Sequence, residues 1–151
     1  MRAVNRIGPT TRATDIYSPR KRSEIMSHVR AKDTSPEKRV RRIIHRMGFR
    51  FRLHDSNLPG KPDIVLPRHK KIIFVNGCFW HRHPGCGRSK LPQTRWEWWL
   101  AKLEKNVKRD EENMKRLKSL GWTVCVLWEC EVRNEPRAEG LLAKFLNCGK
   151  Q

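Results

Sequence analysis

Residues 61–86, reading KPDIVLPRHKKIIFVNGCFWHRHPGC, concentrate the side chains of this chain that could do chemistry. Cys78, His83 and Cys86 fall within nine residues, and Cys130 lies far downstream. Three such ligands and one remote thiolate would close a tetrahedral zinc site with no open position for water, which is a structural rather than a catalytic arrangement. His81 is an alternative ligand to His83, and reduced, unligated thiols are the other reading. Gly77, Pro84, Gly85 and Gly87 supply the sharp turns a small chelate loop needs. Between the cysteines, Phe79 and Trp80 either join the core, the usual fate of such residues, or stand beside a basic surface as a wedge that unstacks bases.

Three acids stand out by position. Asp63 follows a proline and opens a β-branched run. Asp110 falls on the apolar stripe of a helical segment, between Val107 and Met114, where a carboxylate is unfavourable unless it is paired, hydrogen-bonded or near a metal. Glu37 sits in the first turn of a helix, where an acid also simply complements the dipole.

The elements that must position these groups follow from periodicity. Ser35-Pro36-Glu37 reads as a helix start, with Val40, Ile43, Ile44 and Met47 on one face and Gly48 as the stop. Phe49, Phe51 and Leu53 alternate with polar residues as a strand does. Ile64-Val65-Leu66 and Lys71 to Val75 read as two more strands, which makes a meander within a mixed sheet. Thr94 to Glu97 has capping-box spacing before a long helix that carries Trp96, Trp99, Leu100, Leu103, Val107, Met114 and Leu117 and ends at Gly121. Trp122 to Trp128 is dense enough in apolar residues to be a central strand buried on both faces. A last helix starts at Glu135-Pro136. Helix, three strands, long helix, strand, helix is an α/β sandwich.

Length and charge bound the rest. At 151 residues the chain suits one domain, assigned here to 24–151, preceded by a flexible basic arm over 1–23. Lys and Arg number 34 against 15 Asp and Glu, a net charge of +19 that points to a polyanionic partner. No apolar run is long enough to span a membrane, so a soluble, cytoplasmic protein with reduced thiols is the expectation.

In order along the chain, Asp33-Thr34-Ser35-Pro36-Glu37-Lys38, Leu58-Pro59-Gly60-Lys61-Pro62-Asp63, Asn76-Gly77-Cys78-Phe79-Trp80-His81, Lys105-Asn106-Val107-Lys108-Arg109-Asp110 and Val126-Leu127-Trp128-Glu129-Cys130 form a specific combination. Over residues 23–130 the chain resembles the Vsr-type very short patch repair endonucleases, mismatch-specific DNA nickases. The resemblance implies a restriction-endonuclease-like core and a magnesium-dependent nick on the 5′ side of the thymine in a T:G mismatch, the start of repair of deaminated 5-methylcytosine. It implies Asp63 and the Val75 carbonyl as magnesium ligands and His81 as general base, with Glu37 and Asp110 orienting His81 or metal-bound waters. Cys78, His83, Cys86 and Cys130 match the structural zinc ligands. Phe79, Trp80 and Trp99 match the inserting aromatics. From the residues themselves, Arg20, Lys21 and Arg22 of the basic arm, with Met26, read as a DNA-contacting N-terminal segment or else as a solubilising tail. Asn76 stands where the family has histidine and keeps only a hydrogen-bonding role. The acid-x-lysine motif of restriction folds is missing after Asp63, its place taken by Phe74-Val75-Asn76. A bacterial, nucleoid-associated monomer acting on double-stranded DNA, with mismatch-repair proteins as further partners, completes the expectation. The alternative is a zinc-stabilised DNA-binding protein without catalysis; an RNA-binding protein would explain the charge but not the acids.

Overall fold

The computed structural model describes residues 17–148, so most of the expected arm lies outside the described residues. The helix α1 (Pro19–Ser27) begins inside that stretch, with the Ser18 hydroxyl accepting from the Lys21 N–H. It carries Arg20, Lys21, Arg22 and Met26 and buries none of its residues.

Four strands form one mixed sheet in the order β1 (Arg52–Leu53), β2 (Ile64–Leu66), β3 (Lys71–Asn76), β4 (Thr123–Trp128). β1, β2 and β3 are the expected antiparallel meander, and β4 runs parallel to β3. Successive side chains alternate between the two faces, and both faces are covered. Ile64, Leu66, Ile73 and Leu127 pack under α2 (Ser35–Arg46) and α5 (Glu135–Asn147) with Val40, Ile43, Ile44, Leu142 and Leu146. Val65 and Ile72 face Leu117 of α3 (Trp96–Ser119) on the other side. Coverage on both faces is why the strands read as continuous apolar runs.

Three expectations need correction. The strand foreseen over Phe49 to Leu53 is paired only at Arg52 and Leu53, because β2 turns away into a 3₁₀ turn at Pro67; Phe49 and Phe51 instead pack into the core. β4 is not central. It lies at the sheet's edge, with Thr123 exposed and most of its residues half-buried, and β3 is the strand with neighbours on both sides. Thr94 caps nothing: α3 is entered through Arg95 in the left-handed region, φ 53, with no side-chain cap. Cys130 lies just past the carboxyl end of β4, in the one-turn helix α4 (Glu129–Val132).

Lys71 is buried at the start of β3, where its ammonium donates to the carbonyls of Phe145, Leu146 and Cys148 at 2.7, 2.9 and 2.6 Å. Those carbonyls lie at the C-terminus of α5, where a cation is favoured. Among the described residues, no helix is long and apolar enough to cross a membrane.

Candidate active site and metal cluster

The sheet topology decides what meets. β3 and β4 are parallel, so their carboxyl ends coincide, with Asn76 opposite Trp128. β2 is antiparallel to β3, so Asp63, just before β2, arrives at that same end. Asp63 Oδ2 accepts the Val75 N–H at 2.8 Å. The preceding loop passes tightly under α3 at Gly60, φ 75, where a Cβ would stand 3.2 Å from the Asn113 side chain. A groove of about 1000 Å³ opens there, lined by Glu37, His54, Asp63, Val75, Asn76, Trp80, His81 and Asp110 among others. Glu37, His54, Asp63, His81 and Asp110, five acids and imidazoles separated by up to 73 positions, thus share one concavity.

His81 Nδ1 lies 2.5 Å from Asp110 Oδ2. The bond explains the carboxylate on the stripe of α3: Asp110 is partnered by an imidazole from the loop after β3. With Nδ1 donating to the carboxylate, Nε2 is left with its lone pair. Burial pushes the Asp63 carboxyl up to about 6, opposed by the Val75 N–H and increased by the negative charge of Glu37.

Glu37 is not the surface acid that its place in a first helical turn allows. It is 3 % exposed. Its Oε1 accepts from the Thr34 hydroxyl at 3.0 Å, and its Oε2 from the Asp33 N–H and from Arg41 Nη2, both at 3.0 Å. Thr34, rather than Ser35, caps α2. Asp33, Glu37 and His54 bring their donor atoms within 4.8 Å of one another. The Arg41 guanidinium already supplies a positive charge there, 2.6 Å from Asp33 and 3.0 Å from Glu37. Arg41 and His54 were missed in the sequence, where Arg41 reads as one of many basic residues on the polar face of α2 and His54 as the polar half of an alternation.

Cys78, His83, Cys86 and Cys130 converge, with one ligand atom from each within 4.8 Å of the others. The loop is tied by the His83 N–H to the Cys78 carbonyl at 2.9 Å and by the Ser89 hydroxyl to the His83 and Cys86 carbonyls at 2.9 and 2.7 Å. His83, not His81, is the imidazole of the group; its ring stacks on Trp128 at 4.2 Å. The cluster can hold a metal ion.

Phe79 and Trp80 neither stand free nor enter the main core. Each is half-buried, and they pack edge-on to one another at 5.2 Å. Trp99, 8 % exposed, lies against both, 5.3 Å from Phe79 and 6.0 Å from Trp80. The Trp80 carbonyl accepts from Asn106 on α3 at 3.3 Å. All three expected aromatics therefore form one block beside the groove, with Lys102 above Trp80 and Trp99.

Residues 14–87 match the family model described as DNA mismatch endonuclease Vsr. The chain is 45 % identical over 134 residues to the Type II nicking enzyme V.XorIIP of Xanthomonas oryzae pv. oryzae, covering 89 % of this chain and 98 % of that one. It is 42 % identical over 123 residues to the DNA mismatch endonuclease Vsr of Escherichia coli, covering 82 % of this chain and 78 % of that one. A third relative, the Type II nicking enzyme V.NmeAIP of Neisseria meningitidis, is 42 % identical over 122 residues, or 81 % of this chain. The mixed sheet between helical layers is a restriction-endonuclease-like core, and the class is that of DNA endonucleases. Within that class, the chain belongs to the Vsr family of DNA mismatch endonucleases.

Proposed function

We propose that this protein nicks one strand of duplex DNA on the 5′ side of the thymine of a T:G mismatch and so initiates very short patch repair of deaminated 5-methylcytosine. The observation that carries the reading is the meeting, in one groove, of a half-buried acid and an imidazole held by a second carboxylate, flanked by an aromatic block.

The mechanism follows from what these residues do. Asp110 fixes the His81 ring through Nδ1, which leaves Nε2 to take the proton of the attacking water as general base. The Val75 N–H fixes one oxygen of Asp63. Magnesium fits the site, because a desolvated carboxylate next to Glu37 needs positive charge, and carboxylate and carbonyl oxygens are the hard donors it takes. Asp63 and the Val75 carbonyl would hold it, and when bound it supplies charge stabilisation for the phosphate oxygens. Asn76 contributes a hydrogen-bonding amide at the groove's edge.

Zinc fits the second cluster. A tetrahedral ion at about 2.3 Å from sulfur and about 2.0 Å from nitrogen holds those ligands about 3.5 Å apart. His83 Nδ1 lies 3.6 Å from Cys78 Sγ and 3.4 Å from Cys130 Sγ. The ion would tie the loop after β3 to α4 and so hold His81 in place against Asp110. Phe79, Trp80 and Trp99 would insert beside the mismatch, where unstacking is least costly, with Met26, Arg20, Lys21 and Arg22 of α1 along the duplex. The protein would act as a monomer in the bacterial cytoplasm on nucleoid DNA, with mismatch-repair proteins as further partners.

The test is a T:G duplex labelled on one strand, incubated with the protein and magnesium. A nick 5′ to the thymine supports the reading; intact strands in every flanking context overturn it.

A further inference from the structure

We propose that His54 is a positioning residue for the Asp63 carboxylate, held by Arg41 in the tautomer that carries its proton on Nδ1. The proposal rests on the reading of Asp63 as the metal-binding acid and adds the groups that orient it.

His54 follows β1 in the left-handed region, φ 47, a conformation unfavourable for a residue with a Cβ. Its N–H donates to the Asp63 carbonyl at 3.3 Å, one rung beyond the β1–β2 ladder, so both side chains enter the same groove. On one side of the ring, Nε2 lies 2.9 Å from Arg41 Nη2. A guanidinium only donates, so Nε2 must supply a lone pair and the proton must reside on Nδ1. The Asp33 and Glu37 oxygens stand farther from Nε2, at 3.7 and 3.6 Å. On the other side, Nδ1 lies 3.9 Å from Asp63 Oδ1, within reach of one bridging water or a small closure.

The two oxygens of Asp63 are therefore addressed from both neighbouring strands. Oδ2 takes the backbone N–H of Val75 on β3, and Oδ1 faces the imidazole donor that follows β1. Arg41 is itself fixed, since its two terminal nitrogens bind Asp33 and the buried Glu37. Glu37, Arg41, His54 and Asp63 form a chain from the N-terminus of α2 to the metal-binding acid. The two imidazoles of the groove are thereby set to opposite tasks. A carboxylate on Nδ1 leaves His81 an acceptor, whereas a guanidinium on Nε2 leaves His54 a donor.

The experiment uses the full-length chain and two readouts. Nitrogen NMR of histidine-labelled protein at pH 8 without added magnesium should show His54 protonated on Nδ1 in the native chain, and loss of that preference in Arg41→Met. Calorimetric titration with magnesium chloride should show His54→Leu binding the ion about 10- to 100-fold more weakly. His54→Gln, whose amide can accept from Arg41 and donate to Asp63, should stay near the native value. Affinity for the duplex should not change in either variant. A His54 ring protonated on Nε2 or on both nitrogens overturns the proposal, as does a folded His54→Leu protein that binds magnesium as tightly as the native chain. If the native chain itself binds no magnesium, the reading of Asp63 falls, while the nitrogen spectra still decide the tautomer. Those spectra also decide it if His54→Leu does not fold.

Discussion

Replacing Asp63 by asparagine should abolish nicking and at the same time make the metal-free protein more stable. The side chain is largely buried, and its carboxyl is pushed up from 3.8 to about 6, chiefly by desolvation. A group whose pKa rises on folding contributes stability that is present below its unfolded value and is lost as the pH rises through its folded value. The shift corresponds to about 3 kcal/mol at pH 8, where the native state must hold an ionised carboxylate in a poor solvent. Asparagine keeps the shape and an oxygen for the Val75 N–H, and it removes the charge. In urea denaturation without magnesium, Asp63→Asn should therefore exceed the native chain by about 2–3 kcal/mol at pH 8. The advantage should shrink steadily below pH 6 and nearly vanish at pH 4. Magnesium should stabilise the native chain and leave the variant unaffected. An Asp63→Asn protein that is less stable than native at pH 8, or whose advantage does not depend on pH, would refute the electrostatic argument.

Other consequences can be measured separately. Asp110→Asn cannot accept the His81 Nδ1–H as a charged partner, so the single-turnover nicking rate should fall by about 100-fold or more with duplex binding unchanged. Cys130→Ala opens the metal cluster from its remote ligand; zinc measured by atomic emission should drop from one per chain towards none, and the melting temperature should fall with it. Lys71→Met leaves three carbonyls of the α5 terminus, that of Leu146 buried, without their donor and should lower unfolding free energy by about 2–3 kcal/mol in chemical denaturation. Duplex affinity, driven by a net charge of +19, should decline linearly on a log–log plot against salt in a filter or anisotropy assay.

What the sequence makes legible depends on how far apart the cooperating residues lie. The helices α2, α3 and α5 and the meander up to β3 follow from periodicity, since one face of each element is buried and the pattern carries that face directly. The cysteine loop is legible because three of its four ligands are near neighbours, and Asp110 because a carboxylate on an apolar stripe demands a partner. The edge position of β4 is not, because an apolar run records burial and not the number of paired neighbours. Neither is the left-handed entry to α3 at Arg95, since the residue type favours no such conformation. Arg41 and His54 are hidden for a different reason. In a chain with 34 Lys and Arg, one arginine on a polar helix face gives no signal, and only the fold turns it inward onto Glu37 and His54.

The most direct measurement is the strand-nicking assay on a T:G duplex with magnesium, run beside Asp63→Asn and His81→Ala and beside the same duplex with a T:A pair. The account predicts one cut, 5′ to the mismatched thymine, made by the native chain alone, while both variants still bind the duplex. Cleavage that persists in Asp63→Asn, or that ignores the mismatch, would contradict it.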